Sequence, residues 1–576
     1  ILTIGAAHRP LSTQGDTELW LANKKIKYDK LEFVSNSKKL SLGIGRGRLT
    51  MKIAIIAPPY PLEEAPSPPL GVTYVAAACE QAGCEVRIFD YIVRRYTKEK
   101  LAAELDEFAP DVVGATSVTM NFKGAAAIIQ DVKRHNPAII TMMGGPHVSY
   151  DWANTLKNYP KIDLIVVGEG EETLRELLPV IQDRAAWDTV KGIAFRKDRQ
   201  THFTGVRAFI EDLDTLPVPA RHLLPISRYL ALGFPVSIIT SRGCPNQCIF
   251  CLGRRMVGHK VRYRTPRLIV NEIEDIISYG FTRINIADDL FTSNKVRVQA
   301  FCDELKRRGI KITWSAFARV NTVDAEVLAI MREAGCDTVS FGIESGNAEM
   351  LKRVKKGITM EQAVKAVQAC KESGVDALAS FMIGLPGESP ETIADTYTFA
   401  EGLGIDYGFH LLAPFPGTTV REEQEKYDIE ILTDDWDLYD ANVPIVRTSR
   451  MSETYVANFM EAYEARDRDR WDCKVKRYEE GICTDYEGLH VAGHNRMNLV
   501  FKLLSTDLIE RHGVFNNGDS SVQVLAERIT QQTGAQPKLV QNTLQQLSDA
   551  GYIKPLADAA ITRWYWTHNN RSDAEY

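Results

Sequence analysis

Long apolar runs are missing from this chain of 576 residues: none reaches the roughly 18–20 residues that a membrane-spanning helix needs. No signal-peptide pattern is read at its start, so the expectation is a cytoplasmic protein. Cysteine is scarce, with ten in the chain, which excludes a disulfide-built scaffold. An excess of one charge sign is lacking too, since 69 Lys and Arg against 75 Asp and Glu leave a net charge of −6. Coating of nucleic acid or of an anionic membrane through bulk charge is therefore not expected. No internal repeat or low-complexity tract stands out, which excludes collagen-like and disordered classes. What is present is a soluble-type composition long enough for three or four domains, with three cysteines crowded into eight residues.

Residues 1–50 lack apolar periodicity and end in Gly43-Ile44-Gly45-Arg46-Gly47-Arg48, so they read as an upstream extension outside the folded protein. From 51 to 184 short apolar strands, at 53–56, 86–89, 112–115, 139–142 and 164–167, alternate with helical stretches. That alternation predicts a doubly wound, Rossmann-like parallel sheet with ligands at its carboxyl ends. Residues 185–232 read as a connector. A second strand–helix series over 233–425 has strands at 236–239, 283–286, 312–315, 338–342, 377–382 and 407–411. Six such units are too few for an eight-fold barrel and predict a partial (β/α)6 barrel, again with its site at the strand carboxyl ends. Residues 426–500 form a mixed accessory region. Residues 501–576 read as a winged-helix-like unit, giving an α/β protein with a mostly helical C-terminal region.

The cysteines lie in Cys244-Pro245-Asn246-Gln247-Cys248-Ile249-Phe250-Cys251, directly after the first strand of the second series. Structural zinc takes four protein ligands, and no fourth Cys or His follows at a suitable spacing. Three thiolates on one tight loop suit three corners of a [4Fe–4S] cubane and leave the fourth iron open for chemistry. With Phe250 before the last cysteine, this pattern resembles the radical S-adenosylmethionine (SAM) superfamily. Later strand ends resemble its other motifs in order. Asp288 and Asp289 in Ala287-Asp288-Asp289-Leu290-Phe291 stand where the SAM amino group is taken, and Arg319 where a polar or basic residue follows the third strand. Glu344 and Ser345 in Gly342-Ile343-Glu344-Ser345-Gly346 stand near the SAM ribose and carboxylate. Gly384 and Pro386 in Phe381-Met382-Ile383-Gly384-Leu385-Pro386-Gly387-Glu388 stand near adenine, and Pro414-Phe415-Pro416-Gly417-Thr418 closes the barrel. Independently of family, a sulfonium ligand with an amino-acid head needs carboxylates for its ammonium and close backbone for its adenine.

Residues 51–184 resemble the cobalamin-binding domain that precedes the barrel in one branch of this superfamily. The matching positions are Pro58-Pro59-Tyr60, Pro69-Leu70-Gly71, Ser117 and Thr119, Gly144-Gly145-Pro146-His147, and Gly168-Glu169-Gly170-Glu171. The resemblance implies that these glycines admit a bulky planar ligand or its tail, with Ser117 and Thr119 donating hydrogen bonds. The Asp-x-His-x-x-Gly motif that places histidine on cobalt is absent, so no His–cobalt bond is implied, and His147 is left as a contact for the nucleotide tail or as a hydrogen-bonder within its loop. The implied cofactors are a [4Fe–4S] cluster, SAM and cobalamin. The implied activity is reductive cleavage of SAM to methionine and a 5′-deoxyadenosyl radical, which attacks an unactivated carbon of a small-molecule or lipid-like substrate. Its electrons would come from a donor such as flavodoxin or ferredoxin.

Methyl transfer is the expected outcome, with oxidative cyclisation of the anaerobic Mg-protoporphyrin monomethyl ester cyclase type as the alternative. From a different class, a cobalamin-sensing winged-helix regulator stays open, although it leaves the cluster and SAM motifs unexplained. A methylthiotransferase-like enzyme is disfavoured because residues 51–184 hold only Cys79 and Cys84. In the terminal unit the second helix offers Lys538, Gln541, Asn542, Gln545 and Gln546 but no basic stripe. A structural or docking role is therefore expected there rather than nucleic-acid binding.

Overall fold

A computed structural model of the chain describes residues 50–60, 66–516, 520–558 and 561–569. The extension expected at 1–50 lies, up to residue 49, outside the described residues. Strand β1 (Lys52–Ala57) is buried from Ile53 to Ala57, the continuous apolar run of a parallel strand covered on both faces. It is followed by β2 (Glu85–Asp90), β3 (Val112–Thr116), β4 (Ile140–Gly144), β5 (Leu164–Val166), β6 (Ile193–Lys197) and β7 (Gln200–Phe203). The sheet order is β2-β1-β3-β4-β5-β6-β7. The first five strands are parallel, whereas β6 and β7 pair antiparallel.

The segment expected as the start of a connector at 185–232 therefore belongs in part to the first sheet. Its hairpin turns through Asp198 and Arg199, both at positive φ (50° and 66°). Glycine usually follows the first residue of such a turn, and with Asp198 followed by Arg199 the hairpin leaves only a weak turn signal in the sequence.

The second sheet is the partial barrel, six parallel strands in the order β13-β12-β11-β10-β9-β8. They are β8 (Val236–Ile238), β9 (Arg283–Ile286), β10 (Thr313–Ala318), β11 (Cys336–Glu344), β12 (Asp376–Ile383) and β13 (Asp406–Leu411). Helices between them carry the caps their sequences call for. The helix Met360–Ser373 opens on a reciprocal pair, Gln362 N to Thr359 Oγ1 and Thr359 N to Gln362 Oε1, and closes on Gly374 at φ 67°. The two domains are joined by Tyr229 Oη donating to Asp90 Oδ2 at 2.7 Å and Ser67 Oγ to the Pro235 carbonyl at 2.9 Å.

Two long helices, Glu453–Glu479 and Asp485–Ser505, lead into the terminal unit. There β14 (Val514–Asn516), β15 (Ile553–Asp558) and β16 (Ile561–Trp566) form a sheet ordered β14-β16-β15 beside the helices Val522–Thr533 and Pro537–Asp549. The unit docks on the rest of the chain through Ser227–Thr567 at 2.7 Å, Arg228–Glu510 at 2.7 Å and Lys100–Asp507 at 2.8 Å. Its second helix is itself held from the side, where Arg496 Nε donates to Gln546 Oε1 at 3.3 Å. Gln546, one of the residues that a nucleic-acid reading would need, is thus engaged within the chain.

Candidate functional site

The carboxyl ends of both sheets open into one cavity of ≈ 710 Å³, a size suited to ligands of cofactor dimensions. The first sheet contributes Tyr60 after β1, Thr119 and Met120 after β3, and Pro146 after β4. The barrel contributes Cys244, Cys248, Cys251 and the ends of β9 to β13.

The cysteine loop is closed at its neck by Ser241–Arg242 pairing antiparallel with Arg262–Tyr263. Gly243 has φ +113°, and a Cβ there would stand 2.2 Å from the Lys260 carbonyl oxygen, so only glycine passes the neck. Each thiol meets one donor: Asn246 Nδ2 to Cys244 Sγ at 3.3 Å, Gly253 N to Cys251 Sγ at 3.3 Å, and Arg319 Nη1 to Cys248 Sγ at 3.7 Å. Such contacts favour thiolates and tune whatever metal they hold. Cys251 is exposed as a residue, yet crowding around its sulfur pushes the thiol up to about 12, so iron is needed to keep it ionised. Among the described residues, no three His, Cys, Asp or Glu side chains are gathered tightly enough to grip a single ion. Three thiols spread along one loop match separate irons of a cubane instead. Phe250, at the inner wall, lies under the Lys356 ammonium at 5.8 Å.

The expected SAM residues separate into two groups. Asp289 faces the cavity beside the cysteine loop, and burial together with neighbouring Asp288 pushes its carboxyl up. Asp288 is spent on the fold: Thr240 N (2.6 Å), Thr240 Oγ1 (2.5 Å) and Ser241 Oγ (2.6 Å) all donate to it. Arg319 lies between Cys248 and the Lys356 carbonyl. Glu344 sits at φ +74° where the β11–β12 register shifts, and its carboxylate pairs with buried Lys356 at 2.7 Å. A non-glycine residue held there costs about 1–3 kcal/mol, the kind of strain found at ligand sites.

Ser345 is not in the wall. It is fully buried, bonded to Thr396 Oγ1 at 3.0 Å, and caps the next turn through Asn347 N at 3.2 Å. Gly384 and Pro386 also lie off the wall, and Ser380 and Met382 represent that strand in the cavity. Asp288→Asn is expected to lower stability, because one acceptor oxygen becomes a donor facing Thr240 or Ser241. Asp289→Asn is expected to leave the unfolding midpoint in place and weaken SAM binding by at least about tenfold. Equilibrium SAM titration with thermal unfolding of both variants checks the split, and equal SAM affinity in Asp289→Asn and wild type would remove that residue from the site.

The Gly384 turn is held by Glu388, whose Oε2 accepts from Gly384 N at 2.6 Å and Leu385 N at 3.2 Å. Burial raises this carboxyl from its usual 4.5 to about 8 against those two bonds. The folded protein therefore keeps a proton that the unfolded chain releases above about 4.5. The stability contributed by that proton is full below about 4.5 and lost as pH rises to about 8. Glu388→Gln should remove this component, so the variant should gain on wild type across that window. Denaturant unfolding of both proteins at several pH values checks it, and a constant difference would refute the assignment.

In the first domain, Thr119 lines the cavity, and Ser117 lies one residue behind the wall with its buried hydroxyl lacking a hydrogen-bond partner among the described residues. An orphaned donor at a strand carboxyl end suits a ligand with polar acceptors, as the amide-rimmed corrin and its tail would be. Gly144 has only the ordinary 3.7 Å approach of the Val166 carbonyl, whereas a Cβ on Gly145 would stand 2.5 Å from the Ser117 carbonyl oxygen. Gly145 is thus needed for the packing of β4 against the end of β3, and a larger residue there would distort that end before filling any cofactor space.

His147 lies behind the wall, stacked on Phe122 at 4.1 Å and edge-on to Trp436 at 5.0 Å, with Thr119 Oγ1 3.4 Å from its Nδ1. Burial lowers it to about 3, so the ring is neutral. Pro69, Leu70 and Gly71 form the start of the helix Leu70–Gln81, outside the wall. Gly168 turns at φ +79° and donates to Ser149 Oγ at 3.0 Å, and Gly170 opens the helix Gly170–Leu177. Glu169, expected on a cofactor, is instead bound by Arg242 and Arg262 of the barrel.

Several wall residues were not expected: Lys355, Lys356, Ser340, Ser380, His410, Tyr439 and Asp440. Strand alternation carried a signal for some of them, since Ser340, Gly342 and Glu344, then Ser380 and Met382, recur at every second position on the inner face.

The family model for the radical SAM superfamily matches residues 238–400, and that for the B12 binding domain matches residues 64–178. An uncharacterized methyltransferase of Pyrococcus horikoshii is 33% identical over 418 residues, covering 71% of this chain and 91% of that protein. The anaerobic magnesium-protoporphyrin IX monomethyl ester cyclase of Rubrivivax gelatinosus is 30% identical over 398 residues, covering 67% of this chain and 70% of the cyclase. Among solved structures, the cobalamin-dependent S-adenosylmethionine radical enzyme OxsB superposes with a TM-score of 0.64 at 17% identity, covering 87% of this chain and 84% of the other. At that identity the last likeness speaks for the fold alone.

Proposed function

The chain belongs to the radical SAM enzymes that carry a cobalamin-binding domain, and on that premise we propose that it transfers a methyl group to an unactivated carbon of a small-molecule or lipid-like substrate. When bound, the cluster supplies the electron that splits SAM, and cobalamin supplies the methyl carrier. Cys244, Cys248 and Cys251 would hold the cluster, with Arg319, Asn246 and the Gly253 amide tuning its thiolates. Asp289 would take the SAM ammonium. Glu344 and Lys356, already paired, offer an acceptor and a donor for the hydroxyls and carboxylate of the same ligand. Thr119 and the Ser117 hydroxyl would meet the corrinoid from the other wall.

The observation that carries this reading is the single cavity walled by thiols on one side and by the carboxyl ends of β1, β3 and β4 on the other. Such a space lets one substrate carbon meet a SAM-derived radical and a methyl carrier in one place. An acidic one-electron carrier of the flavodoxin or ferredoxin kind would reduce the cluster, and the cytoplasm is the compartment that suits an oxygen-sensitive site. No helix among the described residues is long and apolar enough to cross a membrane.

A second reading is oxidative cyclisation, favoured by the cyclase relative, which aligns with 67% of this chain. Anaerobic turnover with SAM, methylcobalamin, a one-electron reductant and candidate substrates separates the two. A product heavier by one CH2 supports methyl transfer, and a product lighter by hydrogen pairs overturns it in favour of cyclisation.

A further inference from the structure

The neck of the cysteine loop is gripped from the other domain. In the neck ladder Arg262 lies opposite Arg242, and Arg242 is separated from Cys244 by Gly243 alone. This places two buried guanidinium groups side by side, with side chains 9% and 3% exposed. Two adjacent buried cations repel and lose hydration unless carboxylates compensate them. Glu169 and Glu171 do so from the start of the helix Gly170–Leu177 in the first domain. Glu169 Oε1 accepts from Arg242 Nη1 at 3.0 Å and Arg262 Nη2 at 3.0 Å, while its Oε2 accepts from Arg262 Nη1 at 3.1 Å and Ile210 N at 2.8 Å. Glu171 Oε1 accepts from Arg242 Nη2 at 2.6 Å. Both arginines are held by more than one oxygen, so their orientation is fixed as well as their charge. Gly243 has no room for a Cβ, and the next residue is tied across the loop by Cys244 N donating to the Gly258 carbonyl at 3.0 Å, so the backbone entering the loop is held at its neck.

We propose that Glu169 and Glu171 are positioning residues for the cluster loop: their ion pairs with Arg242 and Arg262 make the seating of the first domain set the geometry of Cys244, Cys248 and Cys251. The part of this that concerns a cluster rests on the function proposed above. The part that concerns the loop does not.

The test uses the full-length chain with Glu169→Gln and, separately, Glu171→Gln, which leaves the Glu169 grip in place. Amide hydrogen exchange of the metal-free protein should show residues 243–261 exchanging on the order of tenfold faster in each variant, with the strands of both sheets unchanged. Ser67→Ala serves as the control, since it removes a bond between the domains at Pro235 and Ser237 without touching the neck. It should leave the loop amides as in wild type. In reconstituted protein, Glu169→Gln should retain iron and cobalamin while the electron paramagnetic resonance signal of the reduced cluster with SAM shifts or broadens. Unchanged loop exchange in both glutamate variants overturns the proposal, as does an equal acceleration by Ser67→Ala. Failure of wild type to bind iron would sink the radical SAM reading and leave the exchange result standing on its own.

Discussion

Cys248→Ala is expected to abolish reductive SAM cleavage and to strip most of the iron from the reconstituted protein. The wild type should hold about four iron and four sulfide per chain. Cys248 is the middle cysteine of the loop and the one that Arg319 touches, so its loss would remove both the proposed iron anchor and the cationic neighbour's acceptor. Two remaining thiolates cannot keep a cubane with one iron open in a fixed orientation. The exposed Cys473, far along the C-terminal helix Glu453–Glu479, supplies the control. Cys473→Ser should keep full iron content and full 5′-deoxyadenosine formation, measured anaerobically by chromatography. Retained 5′-deoxyadenosine production in Cys248→Ala would end the assignment of the loop.

The second large effect concerns folding. Glu272, with no exposed side-chain surface, accepts from Arg221 Nη2 at 2.7 Å and Arg264 Nη1 at 2.5 Å. Burial pushes this carboxyl up, but the two guanidinium groups prevail and hold it below the usual range. Arg221 comes from the connector, Arg264 follows the neck of the cysteine loop, and Glu272 lies on the helix Pro266–Tyr279. One carboxylate therefore ties three segments together. Glu272→Ala leaves two buried cations without their carboxylate, with only the Ser237 and Ile239 carbonyls and the Tyr74 hydroxyl still accepting from them, and is expected to cost about 3–5 kcal/mol of unfolding free energy. Glu272→Gln should cost less, because it keeps an acceptor for one arginine. Denaturant unfolding of the metal-free protein reads both values. A loss in Glu272→Ala of under about 1 kcal/mol would mean that the cluster relaxes into water and ties nothing.

Much of the architecture could be read along the chain. The six barrel strands appear as short stretches with an apolar residue at about every second position followed by a turn, because one face of each strand packs under helices while the other lines the cavity. The β6–β7 hairpin was hidden, since Asp198 and Arg199 adopt positive φ without the glycine that would announce it. Within the site, the cysteine loop was legible because its chemistry is contiguous. Lys356 was not, because it comes from the turn after the helix Ala348–Arg353 and gains meaning only by meeting Glu344.

Sequence by itself determined the order of the two α/β units, the place of the cysteine loop after the first barrel strand, and the class of chemistry that three thiols in eight residues support. Those are local facts, set by the period of a strand and the ligand needs of iron. Only the tertiary structure decided which of two adjacent aspartates is consumed by the fold, since Asp288 is claimed by Thr240, 48 residues away. It also moved Glu169 from a cofactor role to a clamp on Arg242, 73 residues away. The physical reason is the same in both cases: a carboxylate's role is set by which donors reach it, and the donors that reach a buried carboxylate are brought there by the fold rather than by its neighbours in the chain.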